Sequence, residues 1–270
     1  MIDCGEGTQI QVRRSKVHFS KVQAVFISHL HGDHCFGLFG MLSTFGMTGR
    51  TAPLQVYAPK EFEEYFNLSM ELFCKGLGYK VTFHPIEATE TAVIYEDKSL
   101  SVETIPLEHR IPCCGFLFRE KPTAPHIRRD MIDYYDIPIS QISNIKAGAD
   151  WTTADGETIP NSRLTTPADK PRSYAYCSDT AYRPALIPLL QGVDLLYHEA
   201  TFPRERAARA AETGHSTAEQ AAQIARASGV GRLLIGHYSA RYSDATPLLE
   251  EARALFPETT AADELMTLEI

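Results

Sequence analysis

The run His29-Leu30-His31-Gly32-Asp33-His34 follows directly on the apolar stretch Val25-Phe26-Ile27. It places four ligand-type side chains in six positions, at the end of a predicted strand. A packed core does not accept such a loop: burying a neutral polar group without a partner costs roughly 2–7 kcal/mol. Cations held among the imidazoles and the carboxylate remove that penalty. Neutral imidazole nitrogen suits zinc, and a carboxylate can bridge two cations. The competing reading, a solvated polar turn, loses weight as further ligand-type residues appear down the chain.

A chain of 270 residues with 44% hydrophobic content can build the large core of one α/β domain. No apolar run approaches the ~18 residues of a membrane span. Met1-Ile2-Asp3-Cys4-Gly5-Glu6 has neither the basic region nor the apolar stretch of a secretory signal. The six cysteines at 4, 35, 74, 113, 114 and 177 form no CxxC pair. Reduced thiols in a cytoplasmic enzyme are the expectation. The formal net charge of −8 argues against a uniformly basic surface, although a local basic patch can still bind nucleic acid.

Short apolar runs predict strands at 22–28, 54–57, 79–86, 92–95, 100–105, 115–118, 173–177, 193–197 and 232–235. Helices are predicted over 36–44, 61–77 and 247–255. Ser216-Thr217-Ala218-Glu219 reads as a capping box opening another that runs to about Ala227. A last strand is expected at 265–268. Residues 120–171 stand apart. They are polar and proline-rich, carry Arg128, Arg129, Lys146 and Arg163, and include Tyr134, Tyr135 and Trp151. They are expected to form an insertion with little regular structure, of the kind that is often functional.

Polar residues recur where apolar strands end: His109, Asp179, His198-Glu199 and His237. A lone strand-end histidine is usually structural. Several together, with the cluster at 29–34, suggest strands converging on one reactive rim.

Together with HxHxDH, the runs His198-Glu199-Ala200-Thr201-Phe202, His215-Ser216-Thr217 and His237-Tyr238-Ser239-Ala240-Arg241-Tyr242 resemble ribonuclease Z, a family of the metallo-β-lactamase superfamily. Asp3-Cys4-Gly5-Glu6-Gly7-Thr8-Gln9 also resembles a stretch early in that family. The resemblance spans residue 2 to about 266. It implies an α/β fold, the metallo-β-lactamase αββα sandwich, as a single domain over 1–270. It also implies an endoribonuclease that removes the 3′ trailer from tRNA precursors and leaves a 3′-hydroxyl.

The same resemblance implies two zinc ions per chain. His29, His31, His109 and Asp179 would hold one, and Asp33, His34, Asp179 and His237 the other. A shared carboxylate suits the roughly 3.5–4 Å spacing of two-metal phosphodiester hydrolysis, and zinc brings the pKa of bound water to ~7. Asp33 would also orient that water and take its proton. His215, oriented by Glu199, would protonate the leaving oxygen. Ser239 and Arg241 would contact phosphate, as Arg suits bidentate contact. The insertion at 120–171 falls where the family has a flexible arm, or exosite, that grips tRNA, with Arg128, Arg129 and Lys146 as phosphate contacts. The arm's usual Gly-Pro-rich turn is replaced by Ile137-Pro138-Ile139-Ser140. The family forms homodimers, and no membrane partner is implied.

Ribonuclease Z normally has about thirty residues before the DCGEGTQ-like stretch, so the sequence is expected to lack the family's first strands, through a start assigned too late, a truncation or a true absence of the opening hairpin. Two other readings remain at this point. One is a superfamily hydrolase of a small phosphodiester, sulfate ester or thioester. The other is a catalytically silent tRNA-binding or interaction protein.

Overall fold

The computed structural model describes residues 1–15 and 17–270, which divide into two units. The first unit comprises Met1–Tyr95, Val102–Phe118 and Ser173–Ile270; the second comprises Glu96–Ser101 and Arg119–Arg172.

In the first unit, α1 (Thr8–Arg14) precedes β1 (Ala24–Phe26). A short turn of helix, α2 (Gly32–Cys35), leads into α3 (Leu38–Met47). Next come β2 (Leu54–Pro59), α4 (Glu63–Phe73) and β3 (Val81–Ile86). Strands β1, β2 and β3 make a parallel sheet in that order. Its apolar residues Val25, Leu54 and Val56, with Ile27 just past β1, share one core with Leu38, Met41, Leu42 and Phe45 of α3 and Phe66 of α4. Strands β4 (Val93–Glu96), β5 (Leu100–Pro106) and β6 (Cys114–Glu120) then begin a second sheet.

The second unit carries β7 (His126–Ile127), α5 (Arg129–Tyr134), α6 (Ile139–Lys146), β8 (Trp151–Thr152), β9 (Thr158–Ile159), α7 (Asn161–Leu164) and β10 (Thr165–Thr166). Here the expectation of little regular structure fails. Strands β7 and β10 pair antiparallel, as do β8 and β9. Ile137, Ile145, Ile159 and Leu164 form a separate small core. Pro138 and Pro160 lie immediately before α6 and α7, where a fixed φ near −65° and a missing N–H do no harm. They start helices rather than break them.

The chain returns to the first unit with β11 (Ser173–Cys177), β12 (Leu195–Glu199), α8 (Ala207–Thr213), α9 (Ala218–Ser228), β13 (Arg232–Gly236), α10 (Thr246–Leu255) and β14 (Thr259–Ala261). The second sheet has seven strands in the order β14-β13-β12-β11-β6-β5-β4, with β11 to β14 parallel. The near-continuous apolar runs of β12 and β13 suit parallel strands covered on both faces. Ala218, Ala221, Ala222 and Ala225 of α9 and Leu248 and Ala252 of α10 share a core with Ala175, Leu196, Leu233 and Ile235. Between the sheets, Phe26 meets Phe116 and Phe118 at ring-centroid distances of 5.5 and 5.6 Å. Helix, sheet, sheet and helix thus stack in the expected αββα order.

Two expectations need correction. The capping box is Thr217 with Gln220, one residue on from Ser216 and Glu219. The Ser216 hydroxyl is spent instead on the Thr180 carbonyl, at 2.7 Å. The last strand is Thr259–Ala261, not 265–268, where Leu265 takes a φ of 62° that strand pairing excludes. Helices α1 and α8 were not anticipated. All six cysteines are free and buried, and among the described residues no helix is long and apolar enough to cross a membrane.

Candidate metal centre

Beyond β1, His31 is extended, with φ and ψ of −72° and 147°. Residues two apart in extended chain face the same way, and His29 Nε2 comes within 3.1 Å of His31 Nδ1. Helix α2 then reverses the direction and carries Asp33 and His34. The other donors sit just past strand ends: His109 after β5, Asp179 two residues after β11 and His237 directly after β13. Open α/β sheets characteristically bind ligands outside the carboxyl ends of their strands. His237 has a φ of 59°, rare for a non-glycine residue and typical of strain held at functional positions.

Two groups of donors result. His29, His31, His109 and Asp179 bring ligand atoms within 4.8 Å of one another, and so do Asp33, His34 and His237. Asp179 lies between them. Its Oδ2 is 3.7 Å from His29 Nε2 and 3.8 Å from His109 Nε2; its Oδ1 is 3.5 Å from His34 Nε2 and 3.2 Å from His237 Nε2. His109 Nε2 is 3.3 Å from His31 Nδ1.

Outer hydrogen bonds determine which nitrogens face inward. His109 Nδ1 donates to the Gly214 carbonyl at 2.7 Å, and His34 Nδ1 to Asp3 Oδ2 at 2.7 Å. The Ser28 hydroxyl donates to Asp3 at 2.9 Å and so accepts from His29 Nδ1, also at 2.9 Å. The Thr201 hydroxyl donates to Glu199 at 2.6 Å and accepts from His237 Nδ1 at 2.9 Å. In every case Nε2 is left bare and pointing into the cluster, the arrangement that orients metal-ligating histidines.

Burial pushes His29 down to about 2, and the imidazoles of His34, His31, His109 and His237 add to the effect. Burial also lowers His31 and His109. For His34, burial acts downward, but the bond to Asp3 together with the charges of Asp3, Asp179 and Asp33 outweighs it and raises the group.

These residues fit metal ions. Bare nitrogens 3.1–3.3 Å apart repel unless something positive lies between them. Tetrahedral zinc ligands at 2.0–2.1 Å stand about 3.3–3.4 Å from one another. Asp179 Oδ1 is buried with no hydrogen-bond partner among the described residues, a cost that a cation removes.

A third group of donors joins His215 to Asp179 and His237. His215 Nδ1 is 4.0 Å from Asp179 but 2.8 Å from Glu199 Oε1, so that nitrogen is already committed. Glu199 is fully buried and also accepts from the backbone N–H groups of Thr180 and Thr201. Burial would raise Glu199, but the His215 hydrogen bond and charge bring it below the ordinary carboxylate value. Burial would lower His215, and Glu199 raises it instead. The pair therefore favours a carboxylate and an imidazolium.

Ser239, half-buried, is anchored by its N–H on the Thr201 carbonyl at 3.2 Å, and Arg241 is exposed. Arg128, Arg129 and Lys146 belong to the second unit. Arg128 is paired with Asp130 at 2.7 Å, Arg129 opens α5 exposed, and Lys146 closes α6 half-buried. The second unit is not basic as a whole, since eight acidic residues match eight basic ones over Arg119–Arg172.

Reading the sequence missed the parts played by Asp3, Ser28 and Thr201. Asp3 accepts from Ser28 N, Ser28 Oγ, His34 Nδ1 and the Tyr176 hydroxyl. A carboxylate beside a glycine-rich stretch was the available signal, but its partners lie 25 to 173 residues away.

Paired donor groups sharing one carboxylate at the rim of an αββα sandwich define the metallo-β-lactamase superfamily. Residues 148–238 match the family model described as "Beta-lactamase superfamily domain", and residues 1–124 match that of "Anti-Pycsar protein Apyc1". The metallo-β-lactamase fold protein YhfI of Bacillus subtilis shares the fold, at 19% identity and a TM-score of 0.64, over 97% of this chain and 83% of its own. The chain belongs to the ribonuclease Z family. It is 55% identical over all 270 residues to a ribonuclease Z of Bacteroides fragilis and 53% identical to one of Porphyromonas gingivalis, covering 89% of each relative. The short form of human tRNase Z superposes with a TM-score of 0.69 at 25% identity, over 100% of this chain and 87% of its own.

Proposed function

We propose that the chain is a zinc-dependent endoribonuclease that cuts the 3′ trailer from tRNA precursors and leaves a 3′-hydroxyl on the tRNA. The observation that carries this reading is the division of Asp179, one oxygen toward each donor group, beside the Glu199–His215 pair. His29, His31, His109 and Asp179 would hold one zinc; Asp33, His34, Asp179 and His237 would hold the other. Bound there, two dications would polarise phosphoryl oxygens and would make water acidic near neutral pH.

The protein's own groups account for the rest. Asp33, with its side chain 69% exposed, has room to accept the proton of the attacking water. Glu199 fixes the His215 ring through Nδ1, which leaves Nε2 to face substrate. As the water oxygen bonds to phosphorus, the bond from phosphorus to the 3′-oxygen breaks. His215 gives that oxygen its proton, which suits a histidine whose pKa a buried carboxylate raises. Ser239 and Arg241 grip phosphate oxygens.

Residues 120–171 act as the tRNA-binding arm, with Arg128, Arg129 and Lys146 as phosphate contacts. The enzyme works in the cytoplasm as a homodimer. Tyr65, Leu68 and Leu72, three and four residues apart on α4, are 54%, 53% and 62% exposed, an apolar stripe suited to a second copy. Leu68→Glu should therefore yield monomers in light scattering.

The central test is a gel assay of the zinc-loaded chain on a precursor tRNA. Trailer release with a 3′-hydroxyl on the tRNA supports the reading. Hydrolysis of a small bis-aryl phosphodiester with the precursor left intact overturns it.

A further inference from the structure

Arg110 follows the candidate ligand His109 in the loop between β5 and β6. That loop is stiff. Leu107 N donates to the Cys113 carbonyl at 3.0 Å, Glu108 N to the Thr180 hydroxyl at 3.1 Å, and Ala181 N to the Glu108 carbonyl at 2.7 Å. His109 is held in turn on the Gly214 carbonyl. Gly214, with a φ of 71°, packs so closely that a Cβ there would lie 3.0 Å from His109 Nδ1 and 3.5 Å from Arg110 N. The segment carrying Arg110 is thus clamped against the turn that delivers His215.

The guanidinium itself is exposed, and among the described residues no hydrogen bond or ion pair holds it. Arg50, Arg128, Arg172 and Arg209 differ, because backbone carbonyls or carboxylates hold each of them. Arg110 directly follows His109 of the first donor group, and its backbone packs against Gly214, the residue before His215, so it lies on the lip between that group and the proton donor. A bare cation there opposes the binding of dications. A substrate anion bridging the lip offsets that repulsion.

We propose that Arg110 is a substrate-positioning residue that binds the phosphate one step upstream of the scissile phosphate. The choice of phosphate rests on the proposed function. The leaving 3′-oxygen, protonated by His215, belongs to the upstream nucleotide. The other phosphate of that nucleotide is therefore the one nearest the neighbour of His215. Ser239 and Arg241 are left for the scissile group itself. Arginine suits the role because its fork pairs bidentately with phosphate.

The test is a double-mutant cycle between protein and RNA. One partner is a precursor tRNA with a neutral methylphosphonate at that single upstream position. The other is Arg110→Ala, with Arg110→Lys as the charge-keeping variant, all zinc-loaded. Arg110→Ala should raise KM for the unmodified precursor about tenfold, with kcat within about threefold, as loss of a charged phosphate contact predicts. The methylphosphonate should do the same to the unaltered enzyme. The two changes together should be no worse than either alone, and Arg110→Lys should recover part of the loss. Losses that multiply overturn the assignment, as does a fall in zinc content or thermal midpoint in Arg110→Ala, which marks a structural role. If the unaltered enzyme leaves the unmodified precursor uncut, the proposed function fails and this inference fails with it.

Discussion

The two donor groups are built differently. The first sits deep: His29 is fully buried, and its ring and that of His109 are held from behind by Ser28 and a main-chain carbonyl. The second holds His34 and His237 from behind as well, on Asp3 and Thr201, but adds an exposed Asp33 and sets His237 on strained backbone. A site whose donors are already oriented loses little freedom on binding. A site that includes a solvent-exposed carboxylate must order that side chain on binding and so binds more weakly. The difference suggests a division of labour, with one ion anchored and the other close to the chemistry.

The heaviest blow to this comparison falls on the residue common to both groups. Asp179→Ala should reduce metal content at both positions and lower phosphodiester hydrolysis by several orders of magnitude. Elemental analysis alongside turnover of a small bis-aryl phosphodiester tests it, and a fully loaded, active variant contradicts the shared role. His215→Ala separates chemistry from metal binding. It should keep its metal and slow precursor cleavage by roughly 10²–10⁴, the range for a lost general acid. Zinc loss with normal turnover per loaded site would make His215 a ligand instead.

Asp3→Asn probes the outer hydrogen bonds, since Asp3 supports His29 through Ser28 and His34 directly. About a 10–100-fold loss of zinc affinity is expected, typical of residues behind ligands, and competition with a chromophoric chelator measures it. The same chelator, titrated into the loaded enzyme, should remove the two ions in separate steps; a single step would erase the distinction between the groups. The smallest expected effect is that of removing residues 122–165. Small phosphodiester hydrolysis should persist nearly intact, while precursor tRNA cleavage weakens at least tenfold, because a remote grip helps only a substrate that reaches it. Equal loss of both activities would make the segment structural.

The clustered donors were legible because local sequence carries them: four lie within six residues, and the others sit where apolar runs stop. Individual strands were legible for the same reason, as they are short apolar runs, and α9 announces itself through a cap, whereas the αββα layering came from the family resemblance. Asp3 was not legible in its role, because its partners Ser28, His34 and Tyr176 come together only once strand positions are set. The cap at Thr217 rather than Ser216 depended on Thr180, which gives Ser216 another use. The small core of Ile137, Ile145, Ile159 and Leu164 was hidden by elements too short to show a period.

The spread of the donors along the chain also bears on how the protein comes into being. His29 and His237 are separated by most of the polypeptide, and β6 and β11 are sheet neighbours although Arg119–Arg172 intervenes between them. Closing so long a loop costs only modestly more than closing a short one, because the entropy grows with the logarithm of length. It does, however, delay the contacts that reward it. During synthesis the centre cannot be completed until residue 237 has left the ribosome. Zinc uptake should accordingly mark the end of folding, and adding the metal to a refolding reaction should stabilise the product without hastening its formation.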